Sequence, residues 1–273
     1  MTRVVCAQLA PRLLDLDANR AASTAAVEVA VAGGADVVVL PELVTSGYVF
    51  ASPEEAATVA ITAAHPVFAD WATAVGSSGA VVVGGFCERG EDGRLHNSAA
   101  VVDATGVLAV YRKVHLWDRE KLVFTAGTAV PPVVETVHGR IAVIVCYDLE
   151  FPEWTRTAAL AGADLIAVPT NWPLFPRPAG EHAAEVVIAM GTARLNRVAI
   201  ACCDRSGVER GQEWTEGTAI VDADGWVVAA AGPGEASAAA DLDLTRSRDK
   251  SYTSLADAFA DRRPELYAGV VAP

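Results

Sequence analysis

Short apolar runs alternate along this chain with Ala-rich stretches, and each run is closed by charged or turn-forming residues. Arg3-Val4-Val5-Cys6-Ala7-Gln8 reads as a first strand. Residues 17–32 carry Ala and Val at helical spacing, and Gly33-Gly34 closes that helix. A strand over 36–40 follows, then one helix over 53–75 with Pro53 near its start, then a buried strand over 80–86. Residues 89–94 read as a turn. His96–Val102 and Val107–Arg112, joined through Asp103-Ala104-Thr105-Gly106, read as a hairpin. Residues 114–131 form an irregular loop closed by Pro131-Pro132. The second half repeats the first in kind. A strand over 141–146 leads to helix 153–161, strand 164–169, a Pro-rich loop over 170–178, helix 181–196 and strand 198–203. A second hairpin spans 217–221 and 226–230, and 238–242 reads as a last strand. Strand–helix–strand units interleaved with hairpins imply an α/β fold with mixed sheets, and no linker or low-complexity segment divides residues 1–273. Periodicity alone does not separate two stacked sheets from a single covered one.

Three of these strands end in reactive groups. Ile141 to Val145 is a run buried on both faces, and Cys146 ends it just before Pro152 and the helix near Glu153. A strand fixes such a thiol, and the nearby helix end favours a thiolate and a developing oxyanion. Most strand cysteines, however, are small core hydrophobes, so the thiol alone decides little. Val37-Val38-Val39-Leu40-Pro41 ends in the carboxylate of Glu42, and Val107 to Tyr111 ends in Arg112-Lys113. A carboxylate, an ammonium and a thiol at three strand ends can meet at one rim of a sheet.

Leu-Pro-Glu-Leu at 40–43, Tyr-Arg-Lys-Val-His-Leu at 111–116 and Cys-Tyr-Asp-Leu-Glu-Phe-Pro-Glu at 146–153, in this order, resemble the signature segments of the nitrilase superfamily, the carbon–nitrogen hydrolases. The resemblance runs over nearly the whole chain. It implies a four-layer α-β-β-α sandwich, a single carbon–nitrogen hydrolase domain over 1–273, and a catalytic triad of Glu42, Lys113 and Cys146. Cys146 would be the nucleophile, forming a thioester. Glu42, partly desolvated, would be the base and later the acid. Lys113, with a backbone N–H near Tyr147, would stabilise the oxyanion. Glu120, in the loop after the lysine, would hold Lys113 and the substrate amide, with Asp118 as its competitor. Tyr48, Trp117, Tyr147, Asn171 and Trp172 fall in or after the site loops and are candidates for shaping the pocket. His115 has no catalytic part in the resemblance, and Arg112 reads as structural or paired.

Nitrile-cleaving members typically show Cys-Trp-Glu, whereas this chain has Cys-Tyr-Asp, which looks like the amidase branches. The expected reaction is hydrolysis of a small aliphatic primary amide to acid and ammonia without cofactor. An N-carbamoyl amine or amino acid is the alternative substrate, then a nitrile; an acyltransferase or a binder on the same scaffold is the alternative class. Gly217-Thr218-Ala219 stands where members often carry Gly-x-Ser. Members commonly assemble as dimers or larger, and apolar surface on helix 153–161 would suit such an interface.

Composition narrows the rest. With 273 residues and 52% hydrophobic content, a sizeable core is expected and disorder is not. A net charge of −13 disfavours nucleic-acid partners. No apolar run reaches the about 18 residues that span a bilayer, and Met1-Thr2-Arg3 enters a strand directly, so neither a membrane partner nor export is expected. The five cysteines form no CxxC pair and the five histidines do not cluster, which points to a reducing cytoplasm and no metal site. No GxSxG, GxxxxGK[ST] or HExxH pattern offers another chemistry.

Overall fold

Val, Ile and Ala residues bury both faces of the central strands, so each sheet must be covered twice. In the computed structural model, which describes residues 1–271, the first half runs β1 (Thr2–Gln8), α1 (Leu16–Ala32), β2 (Val37–Val39), the short α2 (Pro53–Ala57), α3 (Pro66–Val75), β3 (Val81–Arg89), β4 (Leu95–Asp103) and β5 (Gly106–Arg112). The second half runs β6 (Val133–Thr136), β7 (Gly139–Val143), α4 (Pro152–Leu160), β8 (Leu165–Pro169), α5 (Ala184–Asn196), β9 (Ala199–Cys203), a ribbon of β10 (Val208–Glu209) and β11 (Gln212–Glu213), then β12 (Ala219–Val221), β13 (Val227–Ala230) and β14 (Ala236–Leu242). The last two residues of the expected 1–273 domain lie outside the described residues.

The strands form two six-stranded mixed sheets, ordered β14-β1-β2-β3-β4-β5 and β6-β7-β8-β9-β12-β13. Each has the same plan. An antiparallel edge strand flanks three parallel strands, and two antiparallel strands follow. The sheets stack face to face. Val4, Cys6, Val37, Val39, Val81, Val83, Ala99 and Val101 of the first sheet share one core with Ile141, Val143, Leu165, Ala167, Ala199 and Ala201 of the second. The other face of the first sheet, with Val5, Val38, Val82 and Val102, packs on Val27 and Ala30 of α1 and on Val67, Phe68, Trp71 and Val75 of α3. Helices α4 and α5 cover the second sheet's outer face through Ala158, Val186, Ala189 and Ala193. The result is the expected α-β-β-α sandwich. No helix among the described residues is long and apolar enough to cross a membrane.

Several elements differ from the sequence expectation. The helix expected over 53–75 is two helices, because Pro66 sits at the first turn of α3 behind an extended His65, a position proline tolerates where a helix interior would not. Between them Ile61 runs beside β3: its N–H donates to Cys87 O at 2.9 Å and its carbonyl accepts from Arg89 N at 2.8 Å. Edge strand β6 and the ribbon β10–β11 were not foreseen, since neither has a long apolar run. The strand expected to reach Cys146 stops at Val143, and Cys146 opens a short 3₁₀ turn, Cys146–Glu150.

Trp71 is the largest fully buried side chain. It packs edge-on to Phe68 at 5.4 Å and its indole N–H donates to Ser23 Oγ at 3.2 Å. Trp71→Ala should therefore cost about 3–5 kcal/mol in urea unfolding. A loss below about 1 kcal/mol would show that α3 is not anchored there.

Candidate active site

The ends of β2 and β5 and the loop after β8 meet at one rim of the sandwich. Lys113 follows β5 directly; its N–H donates to Asn97 O and its carbonyl accepts from Gly127 N, both at 2.8 Å. Gly127 is required there, since a Cβ would lie 2.2 Å from Arg112 O. The Lys113 ammonium is completely buried, donating to Glu42 Oε1 at 2.7 Å and to Glu120 Oε1 at 2.8 Å. Glu42 Oε1 also accepts from Asn97 Nδ2 at 2.6 Å, while Glu42 Oε2 is buried without a protein partner. Glu120 Oε1 accepts the Tyr48 hydroxyl at 2.5 Å, and Oε2 accepts the Trp117 N–H at 3.0 Å. Gly85 of β3 backs the Glu42 turn so closely that a Cβ would stand 2.3 Å from Leu43 N. On the other side, Asn171 Nδ2 donates to Glu42 O at 2.9 Å, joining the loop after β8 to the loop after β2.

Cys146 sits in the left-handed backbone region, at φ +49°. A non-glycine residue there stores on the order of 1–3 kcal/mol and must be held by its surroundings. Asp148 holds it. One carboxylate oxygen accepts Val145 N at 3.0 Å and the Tyr111 hydroxyl at 2.7 Å; the other accepts His115 N at 3.0 Å and faces His115 Nδ1 at 2.7 Å. Asp148 thus ties the cysteine's turn to the segment that carries Lys113. His115 stacks on Phe151 at 3.7 Å and is part of this tie. Arg112 pairs with Glu88 at 2.6 Å, on the far side of the strand end.

Burial sets the electrostatics. It pushes the Glu42 carboxyl up to about 7; Lys113 opposes the shift and Glu120 adds to it. Burial alone would discharge Lys113, yet the Glu120 and Glu42 carboxylates outweigh it and hold the ammonium well above its ordinary range. Burial also drives the Cys146 thiol well above its usual range, with Glu42 adding to the push and Lys113 opposing it. The expectation that the helix end favours a resting thiolate is therefore corrected: burial beside two carboxylates outweighs it. Tyr48 is held protonated, by burial first and then by Glu120, so its hydroxyl remains a donor.

A cavity of about 110 Å³ adjoins this cluster, lined among others by Tyr48, Phe50, Trp117, Glu120, Pro173 and Trp214. Tyr48 and Trp117 line it. Tyr147 does not, but meets Trp117 edge-on at 4.8 Å. Asn171 and Trp172 do not line it either, though the main-chain N–H of Asn171 meets the Cys146 thiol. Asn171 is spent on Glu42, and Trp172 is core, with its N–H donating to Asp204 at 2.9 Å. Asp204 also accepts from Arg205 N and Gly217 N, each at 2.9 Å, so Gly217-Thr218-Ala219 belongs to the knot behind the loop. Of the two loop carboxylates, Glu120 and not Asp118 reaches Lys113. Sequence reasoning missed Asn97, Asp148 and Asp204. The signal for Asn97 was the polar run His96-Asn97-Ser98 in a strand that continues as Ala99-Ala100-Val101-Val102. No His/Cys/Asp/Glu group among the described residues could hold a metal ion.

A family model described as carbon-nitrogen hydrolase matches residues 3–252. A nitrilase from Pyrococcus abyssi is 34% identical over 271 residues, covering 98% of this chain and 99% of the relative. The N-carbamoylputrescine amidase of Arabidopsis thaliana is 30% identical over 277 residues, covering 93% and 90%. A mutant amidase from Nesterenkonia sp. AN1, solved after Michael addition of acrylamide to its active-site cysteine, superposes with a TM-score of 0.80 at 26% identity, covering 99% of this chain and 100% of that one. The chain belongs to the carbon–nitrogen hydrolase family, in the amidase-like part of the nitrilase superfamily.

The raised Glu42 carboxyl has a thermodynamic consequence. Between 4.5 and about 7 the folded protein keeps a proton that the unfolded chain has released. Glu42 therefore contributes stability below that window and loses it as pH rises through it. The stability of wild type relative to Glu42→Gln, from urea unfolding across pH, should fall over this window and level off above it. A difference that is flat or rises would show that Glu42 is not the buried, raised carboxyl described.

Proposed function

We propose that Cys146, Glu42 and Lys113 are the nucleophile, the acid–base group and the electrophile of an amide hydrolysis, with residues 1–273 acting as one domain. The observation that carries this reading is the arrangement around Lys113. A fully buried ammonium lies between two carboxylates, and one of them, Glu42, keeps an unpartnered oxygen. Cys146 feels Glu42 and Lys113 as its principal charged neighbours. Its thiol rests protonated, so attack needs a base, and a carboxyl near 7 can both take and return a proton at neutral pH.

In the reaction, Sγ bonds to the amide carbon as its proton passes to Glu42. Lys113 and the N–H groups opening the Cys146 turn face the developing oxyanion. The C–N bond breaks as Glu42 returns the proton, and ammonia leaves a thioester on Cys146. Glu42 then takes a proton from water, whose oxygen adds to the thioester carbon. The acid departs and Sγ recovers the proton. One amide and one water give one acid and one ammonia. Glu120 keeps Lys113 charged and directed.

The small cavity suits a short aliphatic primary amide. A mutant of the amidase neighbour has been solved in complex with butyramide, a short aliphatic primary amide, which supports that class. A second reading is an N-carbamoyl amine, because exposed Asp118 also lines the cavity and could meet a distal ammonium. The Arabidopsis relative is named for such a substrate.

Ammonia release should separate these readings on a panel of linear primary amides, ω-amino amides, N-carbamoyl amines and matching nitriles. Primary amides should turn over, and Cys146→Ala should abolish turnover at an unchanged melting temperature. Turnover of carbamoyl amines alone would replace the substrate; a fully active Cys146→Ala would remove the nucleophile. Lys113→Met should lower kcat by on the order of 10²-fold or more, whereas a change confined to KM would recast Lys113 as a binding group. For wild type, kcat/KM should rise with pH to a plateau as Glu42 deprotonates near 7. A profile flat from about pH 5 to 8 would exclude Glu42 as the base.

A further inference from the structure

The ribbon β10–β11 belongs to the second half of the chain, yet it grips the loop that carries Tyr48. Arg205 and Glu209 form an ion pair at 2.7 Å, with side chains only 2% and 4% exposed. Glu209 Oε1 accepts the main-chain N–H of Tyr48 at 2.8 Å and also that of Val49. Arg205 donates to Pro11 O at 2.8 Å, and its guanidinium lies 4.6 Å over the Trp214 ring. Trp214 in turn meets the Tyr48 ring edge-on at 5.5 Å. The loop is cut to admit this carboxylate. Gly47 has φ +78°, and a Cβ there would stand 2.9 Å from Glu209 Oε2 and 2.6 Å from Leu13 Cα. The next residue, Arg210, adds a bond to Val49 O at 2.9 Å.

A buried ion pair is weak support for stability, because desolvation offsets much of its attraction. What this pair fixes is direction. Two consecutive N–H groups on one carboxylate oxygen set the backbone at Tyr48, and Trp214 sets the ring. The Tyr48 hydroxyl then reaches Glu120 at 2.5 Å, and Glu120 reaches Lys113 at 2.8 Å.

We propose that Glu209, held by Arg205, is a positioning residue for the reaction: it sets Tyr48 so that its hydroxyl holds Glu120 against Lys113 while its ring walls the cavity. The inference rests on the amide-hydrolase reading above. Glu209→Gln keeps the size of the side chain but turns a neutral group, and in one rotamer an NH₂ donor, toward Arg205 and the two loop N–H groups. The Tyr48 hydroxyl should then lose its alignment, with kcat lowered more than KM is raised.

The test is a double-mutant cycle on amide turnover with Glu209→Gln, Tyr48→Phe and the pair, run beside melting temperatures and the rate at which iodoacetamide alkylates Cys146. Glu209→Gln should lower kcat/KM about tenfold in the wild-type background and less than about twofold in the Tyr48→Phe background. The alkylation rate should show the same non-additivity. Equal losses in both backgrounds would overturn the proposal, as would a lowered melting temperature with kcat per alkylatable site unchanged. If Glu209→Gln does not fold, Arg205→Lys replaces it in the same cycle, with the same outcomes deciding. A wild type that turns over no panel compound and is not alkylated at Cys146 would remove the hydrolase reading and this inference with it. An active wild type with an additive cycle removes the inference alone.

Discussion

An ammonium buried between two carboxylates is the interaction on which the rest of the site depends. Taking three charges out of water is costly and is offset only when each is closely paired and hydrogen-bonded. Here Lys113 spends its ammonium on one oxygen each of Glu42 and Glu120, Asn97 and the Tyr48 hydroxyl add a second bond to those same oxygens, and the main-chain N–H of Trp117 takes the other Glu120 oxygen, which leaves one carboxylate oxygen over. That one, Glu42 Oε2, is buried without a protein partner. The Cys146 thiol resists ionisation in the resting protein first because it is buried, and the cluster's one surplus negative charge adds to that. The same balance keeps Lys113 charged, so it can stabilise an anion but is a poor base.

The two halves share a strand plan, but the site does not treat them alike. The first sheet supplies the charges, at the ends of β2 and β5, while the second sheet supplies the thiol after β7 and the Asn171 loop after β8. Neither half holds the whole set. Each side chain leaves a covered sheet at a strand end, where the strand is rigid and the loop is free to turn. Two ties cross between the halves. Asp148 draws the Cys146 turn onto the Lys113 segment, and Asn171 draws the loop after β8 onto Glu42. Both are short polar bonds in apolar surroundings, where an unmade bond is expensive, so the two sheets have little freedom to slide.

The parts legible in the sequence were those carried by a break in an apolar run. Glu42, Lys113 and Cys146 each end such a run, and their order matched known signature segments, so their placement at one rim could be expected. Two stacked sheets were legible only through the resemblance, because alternation tells that a strand is covered twice but not by what. Glu120 and Asp118 stand in one loop with the same chemistry, and only the fold shows that Glu120 turns inward to Lys113. Trp172 read as pocket because it follows a strand end, yet its N–H is claimed by Asp204 and its ring by the core. The split between α2 and α3 was hidden because the apolar spacing continues past Pro66 even though the backbone cannot. Residues 205–214 gave no signal, since two-residue strands have no period and an ion pair is defined only by where the chain folds back.

Proton inventory ties these features together. In the proposed reaction a carboxyl raised to about 7 by burial and a buried thiol that resists ionisation exchange one proton, which Glu42 takes as Cys146 attacks. With the proton on sulfur, Glu42 is ionised and pairs with Lys113. With the proton on Glu42, the thiolate inherits that partnership. Movement of one proton therefore shifts negative charge across the site without changing its total. Glu120 matters because it pairs with the ammonium as well and helps to hold Lys113 charged while the proton moves. A site with only one carboxylate would have to choose between a base and a fixed ammonium, and the second carboxylate removes that conflict.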